Sequence, residues 1–408
     1  MLIPRLAMRS LQSRLLTTSL TVASIALSVT LLVGIEHVRA GVRESFAGTI
    51  KGTDLIVGAR GGSLQVLLSS VFGIGSPSGG VKMSTFERWQ KHPAVKWAVP
   101  YTLGDSHRGF RVVGTTAEFY ERYRYRADGR VTFASGHSGA TDRDVVVGSE
   151  VAEKLRYAIG SPVLVTHGMR DIGTSTHVSH PFAVVGVLKR TFTPIDRSVF
   201  ITLAGVEAMH EGFEKPAAAP DAHGDDQITS FFVGTKNRFE ALMVQREMNT
   251  DLVEPLTAVI PGVALGELWQ NIGSAEVGLR VIALFAVLIG LTGMLVSLYS
   301  SLEARRREMA IFRAIGAGPR TIVSLLVLES GLLSLLGCVF GVAFVYAGLL
   351  LGQGPIEQRF GLHLAITPLG AVEWTYLMIV LTAGIVIGFV PALKAYRTSL
   401  VDGLSPRA

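Results

Sequence analysis

The hydrophobic positions of the chain gather in four long uncharged stretches, one near the N-terminus and three in the last third. They cover residues 15–35, 281–299, 330–351 and 374–393. Because a hydrocarbon core of about 30 Å is crossed by about 20 helical residues, each stretch is long enough to span a bilayer. A spanning helix also satisfies every backbone N–H and C=O where no water is available. The pattern therefore predicts four transmembrane helices in a one-plus-three arrangement.

The polar stretch between the first and second apolar runs, residues 36–280, has the pattern of a large mixed α/β domain. Short segments rich in β-branched and aromatic residues alternate with turn residues, which is typical of strands. The predicted strands are residues 95–101, 110–114, 144–148, 163–167, 182–188, 198–203 and 231–235. The predicted helices are one opened by a capping box at 84–87, one over 150–158 capped by Ser149, and one over 238–248. At this length the domain can bury one or two cores of its own.

Basic residues flank the predicted spans unevenly, and this asymmetry predicts the orientation of the chain. The short segment between the third and fourth spans has Arg359 as its one Lys or Arg. The segments on the other side contain Arg5, Arg9, Arg14, Arg305, Arg306, Arg307, Arg313, Arg320, Lys394, Arg397 and Arg407. Because short cytoplasmic segments carry an excess of Lys and Arg, we expect both termini in the cytoplasm. The α/β domain is then periplasmic or extracellular, outside a bacterial inner membrane.

The two patterns together predict the organisation of the whole chain. In order, it consists of a cytoplasmic N-terminus (1–14), a first span (15–35), the outer domain with helical extensions at both ends (36–280), a second span (281–301), a cytoplasmic loop (302–320), a third span (321–351), a short external loop (352–373), a fourth span (374–393) and a cytoplasmic C-terminus (394–408). A cleaved signal peptide would also explain the basic start and first apolar run. That run exceeds the usual signal-peptide length and no clear A-x-A site follows, so we expect a retained anchor.

Composition agrees with a membrane protein and narrows its chemistry. Hydrophobic residues make up 49% of the chain and charged residues 17%, and the mean hydropathy is +0.41. The pI near 9.5 mostly reflects the cytoplasmic arginines, so we infer no nucleic-acid binding from it. The single cysteine, Cys338, lies within the third span and indicates helix packing, since no second cysteine is present for a disulfide.

An apolar stripe precedes the second span. Its members recur at intervals of three and four residues, which places them on one face of a helix that continues into the membrane. They are Leu265, Leu268, Ile272, Ala275 and Leu279. Residues 36–46 continue the first span outward in the same way, so the two extensions are predicted to pair as a stalk. The alternative is that the stripe packs on the outer domain.

The loop between the second and third spans contains the most specific sequence of the chain, LEARRREMAIFRAIGA at 302–317. Met309, Phe312 and Ile315 recur every three residues and form a narrow apolar ridge beside a basic rim, and Gly and Pro at 316–319 end the helix. Such a helix is suited to docking on a soluble partner. The predicted docking residues are Glu303, Arg305, Arg306, Arg307, Glu308, Met309, Phe312, Arg313 and Ile315. The alternative is that the arginines only fix topology and bind anionic lipid.

This loop, the one-plus-three topology, and two stretches of the outer domain resemble the FtsX-like, or MacB-like (type VII), ABC transporter permease family. The outer-domain stretches are DVVVGSEVAEKLRYAIGSPVLV at 144–165 and HPFAVVGVLKRTFTPIDRSVFITL at 180–203. The resemblance covers most of the chain. It implies that the Arg-rich loop docks on a cytoplasmic ABC ATPase and that ATP hydrolysis moves the outer domain, a mode called mechanotransmission.

The resemblance also implies partners and cofactors. The sequence has no G-x-x-x-x-G-K-[ST] phosphate-binding loop, so we expect ATP and Mg on a separate ATPase, in two copies, and no cofactor on this chain. A second permease copy or paralogue completes the complex, and a periplasmic adaptor or lipoprotein and membrane lipid are further expected partners. Export, lipoprotein release and regulation of a cell-wall hydrolase share this architecture. A membrane-anchored sensor or scaffold is the non-transport alternative.

A few polar residues outside the loop invite functional interpretation. Glu329 lies inside the third span, where a charge is costly, and we expect it to pair with Arg9, Arg14 or the loop arginines. His177, His180 and His223 lack the further ligands that a metal site needs. Residues 211–227 indicate a loop, and the apolar residues 64–72 suggest contact with membrane or a partner. We identify no catalytic arrangement, so the chain is predicted not to be an enzyme.

Overall fold

The computed structural model describes residues 15–126, 129–167, 181–210, 227–304, 318–360 and 366–397. The chain forms two compact units. The membrane unit comprises Met1–Gly41, Gly273–Gly354 and Leu364–Ala408. The second unit, which we call the outer domain, comprises Val42–Ile272 and Pro355–His363.

The described helices and strands alternate through the outer domain and give way to long helices at both ends of the chain. The helices are α1 Leu15–Thr49, α2 Ser63–Leu67, α3 Met83–Gln90, α4 Glu118–Arg122, α5 Ser149–Leu155, α6 Leu203–His210, α7 Arg238–Asn249, α8 Pro261–Ala304, α9 Pro319–Phe360 and α10 Ala371–Arg397. The strands are β1 Leu55–Ala59, β2 Val81–Lys82, β3 Val95–His107, β4 Phe110–Thr115, β5 Arg124–Tyr125, β6 Gly129–Arg130, β7 Phe133–Gly136, β8 Asp144–Val147, β9 Pro162–Val163, β10 Thr166–His167, β11 Phe182–Leu188, β12 Ser198–Thr202, β13 Gln227–Ile228, β14 Ser230–Thr235 and β15 Leu256–Val259.

Helices α1, α8, α9 and α10 are long and apolar enough to cross a membrane. One precedes the mixed α/β domain and three follow it, so the predicted fold class is confirmed. Helices α1 and α8 extend well beyond the predicted spans, since α1 runs to Thr49 and α8 begins at Pro261. The length of an apolar run shows where a helix can cross lipid. It does not show where the helix ends, because the helix can continue into residues that include charged ones.

The segment 352–373, predicted as a short external loop, is helical over much of its length, and its external placement stays a prediction. Helix α9 continues to Phe360 with Pro355 inside it, and α10 already begins at Ala371. The polar residues 353–359 ended the apolar run but did not end the helix. A proline removes one backbone donor and distorts a helix, yet a helix can continue past it when its other hydrogen bonds are kept.

A mixed sheet of eleven strands is the framework of the outer domain. Its order is β15-β1-β14-β3-β4-β12-β8-β11-β7, with β10 on β3 and β9 on β11. The β4–β12 and β8–β11 pairs are parallel, and the other pairs of this sheet are antiparallel. Two further pairs, β2–β13 and β5–β6, stand apart from it.

Both faces of this sheet are buried, because successive residues of a strand point to opposite sides. In β1, Ile56 joins a core that continues along one whole face, whereas Leu55 and Val57 join a second core behind it. In β8, Val146 joins the first core and its neighbours Val145 and Val147 join a third. The β-branched runs that predicted strands thus belong to a layer covered on both sides.

An aromatic cluster lies at the centre of the continuous core. The ring of Phe119 on α4 lies 5.1 Å from that of Tyr123, 5.4 Å from Phe200 and 5.9 Å from Tyr101, between centroids. Phe119 is 2% exposed. Such rings bury large apolar areas and lock one another's orientation, so this cluster is the main source of stability on that face.

Two local helix-start predictions in the outer domain are wrong. Helix α3 begins at Met83 with Lys82 as its N-cap residue, so the capping box at 84–87 does not form. Helix α5 begins at Ser149 itself, after Gly148. A Cβ at Gly148 would lie 2.4 Å from the carbonyl oxygens of Ile195 and Asp196, so close packing of glycine sets this helix start.

Two further predictions need correction. Residues 64–72, expected to contact membrane or a partner, form α2 and a π-helical turn whose Val66, Leu67 and Val71 are buried in the continuous core. The predicted strand over 163–167 is divided into β9 and β10, which pair with different strands. In both places tertiary packing, which a local pattern does not contain, decided the outcome.

Candidate functional site

The predicted ATPase-docking residues fall almost wholly outside the described part of the chain. Glu303 lies within the backbone of α8, and its side chain is not described. Arg305, Arg306, Arg307, Glu308, Met309, Phe312, Arg313 and Ile315 lie outside the described residues. The docking role of this loop therefore stays a prediction from the sequence.

The apolar stripe before the second span divides between the two units. Leu265 is buried in the continuous core of the outer domain, and Leu268 packs against that core. Ile272 and Leu279 are 39% and 47% exposed. The first half of the stripe thus packs on the domain, which was the alternative reading, and its role in a stalk stays a prediction.

The outer ends of α1 and α8 meet inside the outer domain. The Phe46 ring of α1 lies 5.9 Å from the Trp269 ring of α8 and stacks on Phe72 at 4.6 Å, between centroids. The Tyr123 hydroxyl donates to the Thr49 carbonyl at 2.6 Å, and the Arg126 N–H donates to the Gly48 carbonyl at 2.5 Å. The last carbonyls of α1 are therefore capped by the domain, and the helix end is fixed in it.

Glu329 is buried in α9, with 4% of its surface exposed. The partners predicted for it, Arg9, Arg14 and the loop arginines up to Arg313, lie outside the described residues. The pairing stays a prediction. On the same helix Ser330 and Ser334 are fully buried, so Glu329 begins a small polar stretch on the packed face of α9.

A polar cluster that the sequence did not single out lies in the membrane unit, near the ends of the predicted spans that border residues 36–280 and 352–373. We call it the outer cluster. It consists of Glu36, His37, Arg39, Glu276, Arg280, Tyr346 and Glu373. These side chains come from all four long helices.

One half of the outer cluster joins α1 to α8. Arg39 Nη2 donates to Glu36 Oε1 at 2.5 Å, and Arg39 Nη1 donates to Glu276 Oε2 at 2.8 Å. Arg280 Nη2 donates to the other carboxylate oxygen of Glu36 at 3.2 Å. Glu36 is 4% exposed. It therefore accepts one guanidinium from each helix, which offsets the cost of burying its charge.

The other half joins α1 to α9 and α10. His37 Nδ1 lies 3.0 Å from Glu373 Oε1, and both residues are buried. The other oxygen of Glu373 accepts from the Gly370 N–H at the start of α10. Tyr346 of α9 meets the His37 ring edge-on at 5.8 Å and donates its hydroxyl to the Thr367 carbonyl at 2.9 Å. Helix α1 is thus the centre of the cluster.

Deeper in the membrane unit, small residues bring the helices into close contact. Ser28 Oγ of α1 donates to the Ala286 carbonyl of α8 at 2.7 Å, and Thr30 Oγ1 donates to the Gly341 carbonyl of α9 at 3.1 Å. A Cβ at Gly341 would lie 2.7 Å from Val29. Hydroxyl bonds and glycine contacts of this kind are the usual means of helix association in lipid, where no hydrophobic force operates.

The outer cluster joins all four long helices of the membrane unit. Its carboxylates are engaged by guanidinium, imidazole or backbone donors. No group of three or more His, Cys, Asp or Glu suited to a metal occurs in the described ranges. His177, His180 and His223 lie outside the described residues. Breaking one pair would leave a buried charge uncompensated, so these pairs stabilise the arrangement of the four helices.

A sequence signal for the outer cluster existed and was missed. Charges of opposite sign stand just at the predicted span ends, with Glu36 after the first, Arg280 before the second and Glu373 before the fourth. Paired ionisable groups at helix ends in a membrane bundle generally face one another. The pairing partners could not be chosen without the helix arrangement.

Two family models match successive parts of the chain. The MacB-like periplasmic core domain matches residues 18–249, and the FtsX-like permease C-terminal domain matches residues 280–400. The first covers more than half of the chain and takes in the mixed sheet except β15. The second takes in α8 from residue 280 onward, α9 and α10.

Curated relatives agree with both matches. The chain is 24% identical over 362 residues to the pyoverdine export ATP-binding/permease protein PvdT of Pseudomonas putida, covering 85% of the chain and 52% of the relative. It is 25% identical over 311 residues to the macrolide export ATP-binding/permease protein MacB of Nitrobacter winogradskyi, covering 72% and 43%. It is 27% identical over 143 residues to the ABC transporter permease YtrF of Bacillus subtilis, covering 32% of each.

The chain thus spans about half the length of the two ATP-binding/permease relatives. A solved periplasmic region of MacB from Actinobacillus actinomycetemcomitans is similar at 12% identity and a TM-score of 0.34, covering 53% of the chain and 94% of that structure. The family matches and the four apolar helices together make this a multi-pass membrane protein with a periplasmic or extracellular domain. The chain belongs to the ABC transporter permease family that combines a MacB-like periplasmic core domain with an FtsX-like permease domain.

Proposed function

We propose that the chain is the permease subunit of an ATP-driven complex that exports or extracts a substrate on the outer side of the membrane. The observation that carries this proposal is the presence of both family modules in one chain, in the order outer core domain then permease domain. A chain of this kind contains both the membrane helices and the outer domain that these helices move. Hydrolysis of ATP, with its Mg, takes place on a separate cytoplasmic ATPase in two copies.

The mechanical path runs along α1 and α8. Each is one unbroken helix that begins or ends in the outer domain, and the carbonyl end of α1 is capped there by Tyr123 and Arg126. At the other end of this path the outer cluster joins α1 to α8, α9 and α10. A displacement of the bundle is therefore passed to α1 and α8 together, because a change confined to one helix would separate buried ion pairs.

The input to this path is the loop over 302–320, between α8 and α9. Its apolar ridge of Met309, Phe312 and Ile315 and its basic rim are suited to a groove on a soluble ATPase. Both chain termini lie on this cytoplasmic side in the proposed orientation. A second copy of the chain, or a paralogue, completes the pair of permeases that two ATPases drive.

Export is the favoured direction because the curated relatives that align with most of this chain are named as export proteins. Four helices per chain, with Glu329 buried among small residues on the packed face of α9, fit a mechanical transmitter better than a water-filled path. The substrate itself is proposed only as a molecule taken from the outer side of the membrane, with a periplasmic adaptor or lipoprotein as a possible companion.

The proposal is tested by crosslinking the tagged protein in its native membrane, purifying it and identifying the linked peptides. We expect a P-loop ATPase linked to the segment between Arg305 and Arg313. As a matched control, the same tag and crosslinker are applied to a variant in which Phe312 and Ile315 are both alanine, which should insert normally and lose the ATPase link. Recovery of outer partners with no ATPase would overturn the proposal and favour a sensor or scaffold.

A further inference from the structure

Helix α7 presents an apolar surface on the side turned away from its own domain. Ala241, Val244 and Met248 are buried against the sheet. Phe239, Leu242 and Met243 are 71%, 56% and 50% exposed. These three lie at i, i+3 and i+4, so they share one face of the helix, roughly opposite the buried one. A surface helix normally turns polar side chains to solvent, and a second apolar face is typical of an interaction site.

The turn after α7 extends this surface. Leu252 is 100% exposed and Val253 is 72% exposed. The turn is held by Asp251, which accepts the Val253 N–H at 2.8 Å, the Trp89 indole N–H at 2.9 Å and the Arg88 guanidinium. Burial alone would raise the pKa of Asp251, but these donors hold it below its usual range. The two apolar side chains are therefore displayed by a fixed turn.

The surface has an elongated shape set by the sheet. Helix α7 starts after β14, near the end of β1 where Leu55 pairs with Val233. The turn that follows it leads into β15 near the other end of β1, where Ala59 pairs with Leu256. A twelve-residue helix is about 18 Å long. Exposed apolar side chains thus run along the length of β1, a shape suited to an extended or helical polypeptide segment.

Charged side chains border the apolar face of α7. Lys236, Arg238 and Arg246 are exposed, and none of the three forms an ion pair with another residue in the described ranges. At 100° per residue, Arg238 lies on one flank of the apolar face and Arg246 lies within the face. Glu240 and Glu247 lie on the other flank. Glu247 already pairs with His92 at 3.2 Å. Three basic side chains thus stand against the two carboxylates of Glu240 and Glu247, so the net charge of the surface is positive.

We infer that the exposed face of α7 and the turn at 252–253 form the docking surface for an apolar, acidic segment of a second extracytoplasmic protein. The apolar side chains supply the area removed from water, and Arg238 and Arg246 pair with carboxylates of the partner and fix its orientation. The surface consists of residues of the outer domain, and none of them belongs to the segment 302–320 proposed to dock on the ATPase. This inference can therefore fail while ATPase coupling stands, and the reverse also holds.

The test places a photo-crosslinking benzoylphenylalanine at Leu242 of the full chain in its native membrane. A matched control has the same residue at Glu121, an exposed position on α4 of the same domain. We expect an adduct at Leu242 and none at Glu121. Mass spectrometry of the adduct should identify a partner segment with Asp or Glu among apolar residues. An adduct to a second copy of this chain, to lipid or within the chain, or no adduct, would overturn the inference.

Charge reversal provides the second criterion. The double variant Arg238→Glu and Arg246→Glu should lower the adduct yield at Leu242 about fivefold, since exposed pairs at an interface rim each contribute modestly. Both side chains are exposed, so thermal unfolding of the outer domain should not change. A pairing that depends only on apolar contact would leave the yield unchanged, and that result would contradict the acidic character of the partner.

Discussion

The outer domain and the membrane unit are packed with opposite kinds of side chain. In the outer domain large rings around Phe119 fill the core, and the carbonyl end of α1 is capped onto it. In the membrane unit Gly341, Ser28 and Thr30 bring helix backbones together, and a network of ion pairs lies in the outer cluster. The packing of the outer domain therefore depends on large side chains, and that of the membrane unit on small ones.

This difference would suit the force transmission proposed above. A core of interlocked rings moves as one body, because a shift of one ring forces its neighbours to shift. Helices that touch through small residues can slide with little loss of contact, and the outer cluster limits that sliding at one end. The following experiments would break or sharpen this contrast, from the largest expected effect to the smallest.

Replacing a large core side chain by a small one should destabilise the outer domain most. Phe119→Ala is expected to lower the free energy of unfolding of that domain by about 3–5 kcal/mol, because it leaves a cavity among the rings of Tyr101, Tyr123 and Phe200. Near-UV circular dichroism of the purified full chain during thermal unfolding would measure the loss. Leu242→Ala, on the exposed face of α7, is the control and should change stability by less than about 0.5 kcal/mol. Equal effects of the two changes would contradict the assigned core.

Replacing a glycine at a helix contact by a larger residue should destabilise the membrane unit. Gly341→Val is expected to separate α1 from α9, since a Cβ there would lie 2.7 Å from Val29, at a cost of about 1–3 kcal/mol. Helix proximity can be measured by cysteine crosslinking between the two helices in a Cys338→Ser background. Gly348, where an added Cβ meets no atom within 4 Å, is the matched site. If Gly348→Val disrupts the bundle as much as Gly341→Val, the close-packing account is wrong.

Neutralising the centre of the outer cluster should uncouple the helices more than it unfolds them. Glu36→Gln leaves Arg39 and Arg280 without their shared carboxylate, and because Arg280 is well exposed we expect a cost of about 1–2 kcal/mol. The same change should lower transport while the ATPase still binds. Glu44→Gln, farther along α1 and without a described ion pair, is the control. Unchanged transport in Glu36→Gln would remove the cluster from the mechanical path.

The smallest expected effect is a pH dependence at the turn after α7. Because its hydrogen bonds hold the pKa of Asp251 below its usual range, its contribution is fully present above the unfolded value of about 3.9 and is lost as pH falls through the folded pKa. Wild type should exceed Asp251→Asn in stability by about 1 kcal/mol at pH 7, and the difference should shrink at pH 3. A difference independent of pH would show that the carboxylate charge is not what holds the turn.

Much of the fold could be predicted from the sequence because apolar length and β-branched runs report burial directly. The strands β4, β11, β12 and β14 fall within a residue of their predicted bounds. The strand β15 was missed because its Leu256–Val259 run is short. The start of α5 was misplaced because it depends on the contact of Gly148 with Asp196, which lies far away in the sequence.

The candidate site was harder to predict for the same reason. Glu36 and Arg280 are 244 residues apart, and only the pairing of α1 with α8 makes them neighbours. A pattern along the chain shows that each charge stands at a span end but not which charges meet. The Arg-rich loop, in contrast, is a local feature that the sequence shows in full, and its role stays a prediction.

The most direct test of the account is ATP hydrolysis by the purified permease and its ATPase reconstituted in lipid. We predict that Phe312→Ala combined with Ile315→Ala inserts normally but loses the permease-dependent part of ATP hydrolysis, because the apolar ridge no longer engages the ATPase. Arg320→Ala, beyond the ridge in the first turn of α9, is the control and should retain it. Full permease-dependent hydrolysis in the double variant would contradict the claim that this chain is driven by a separate ATPase through that loop.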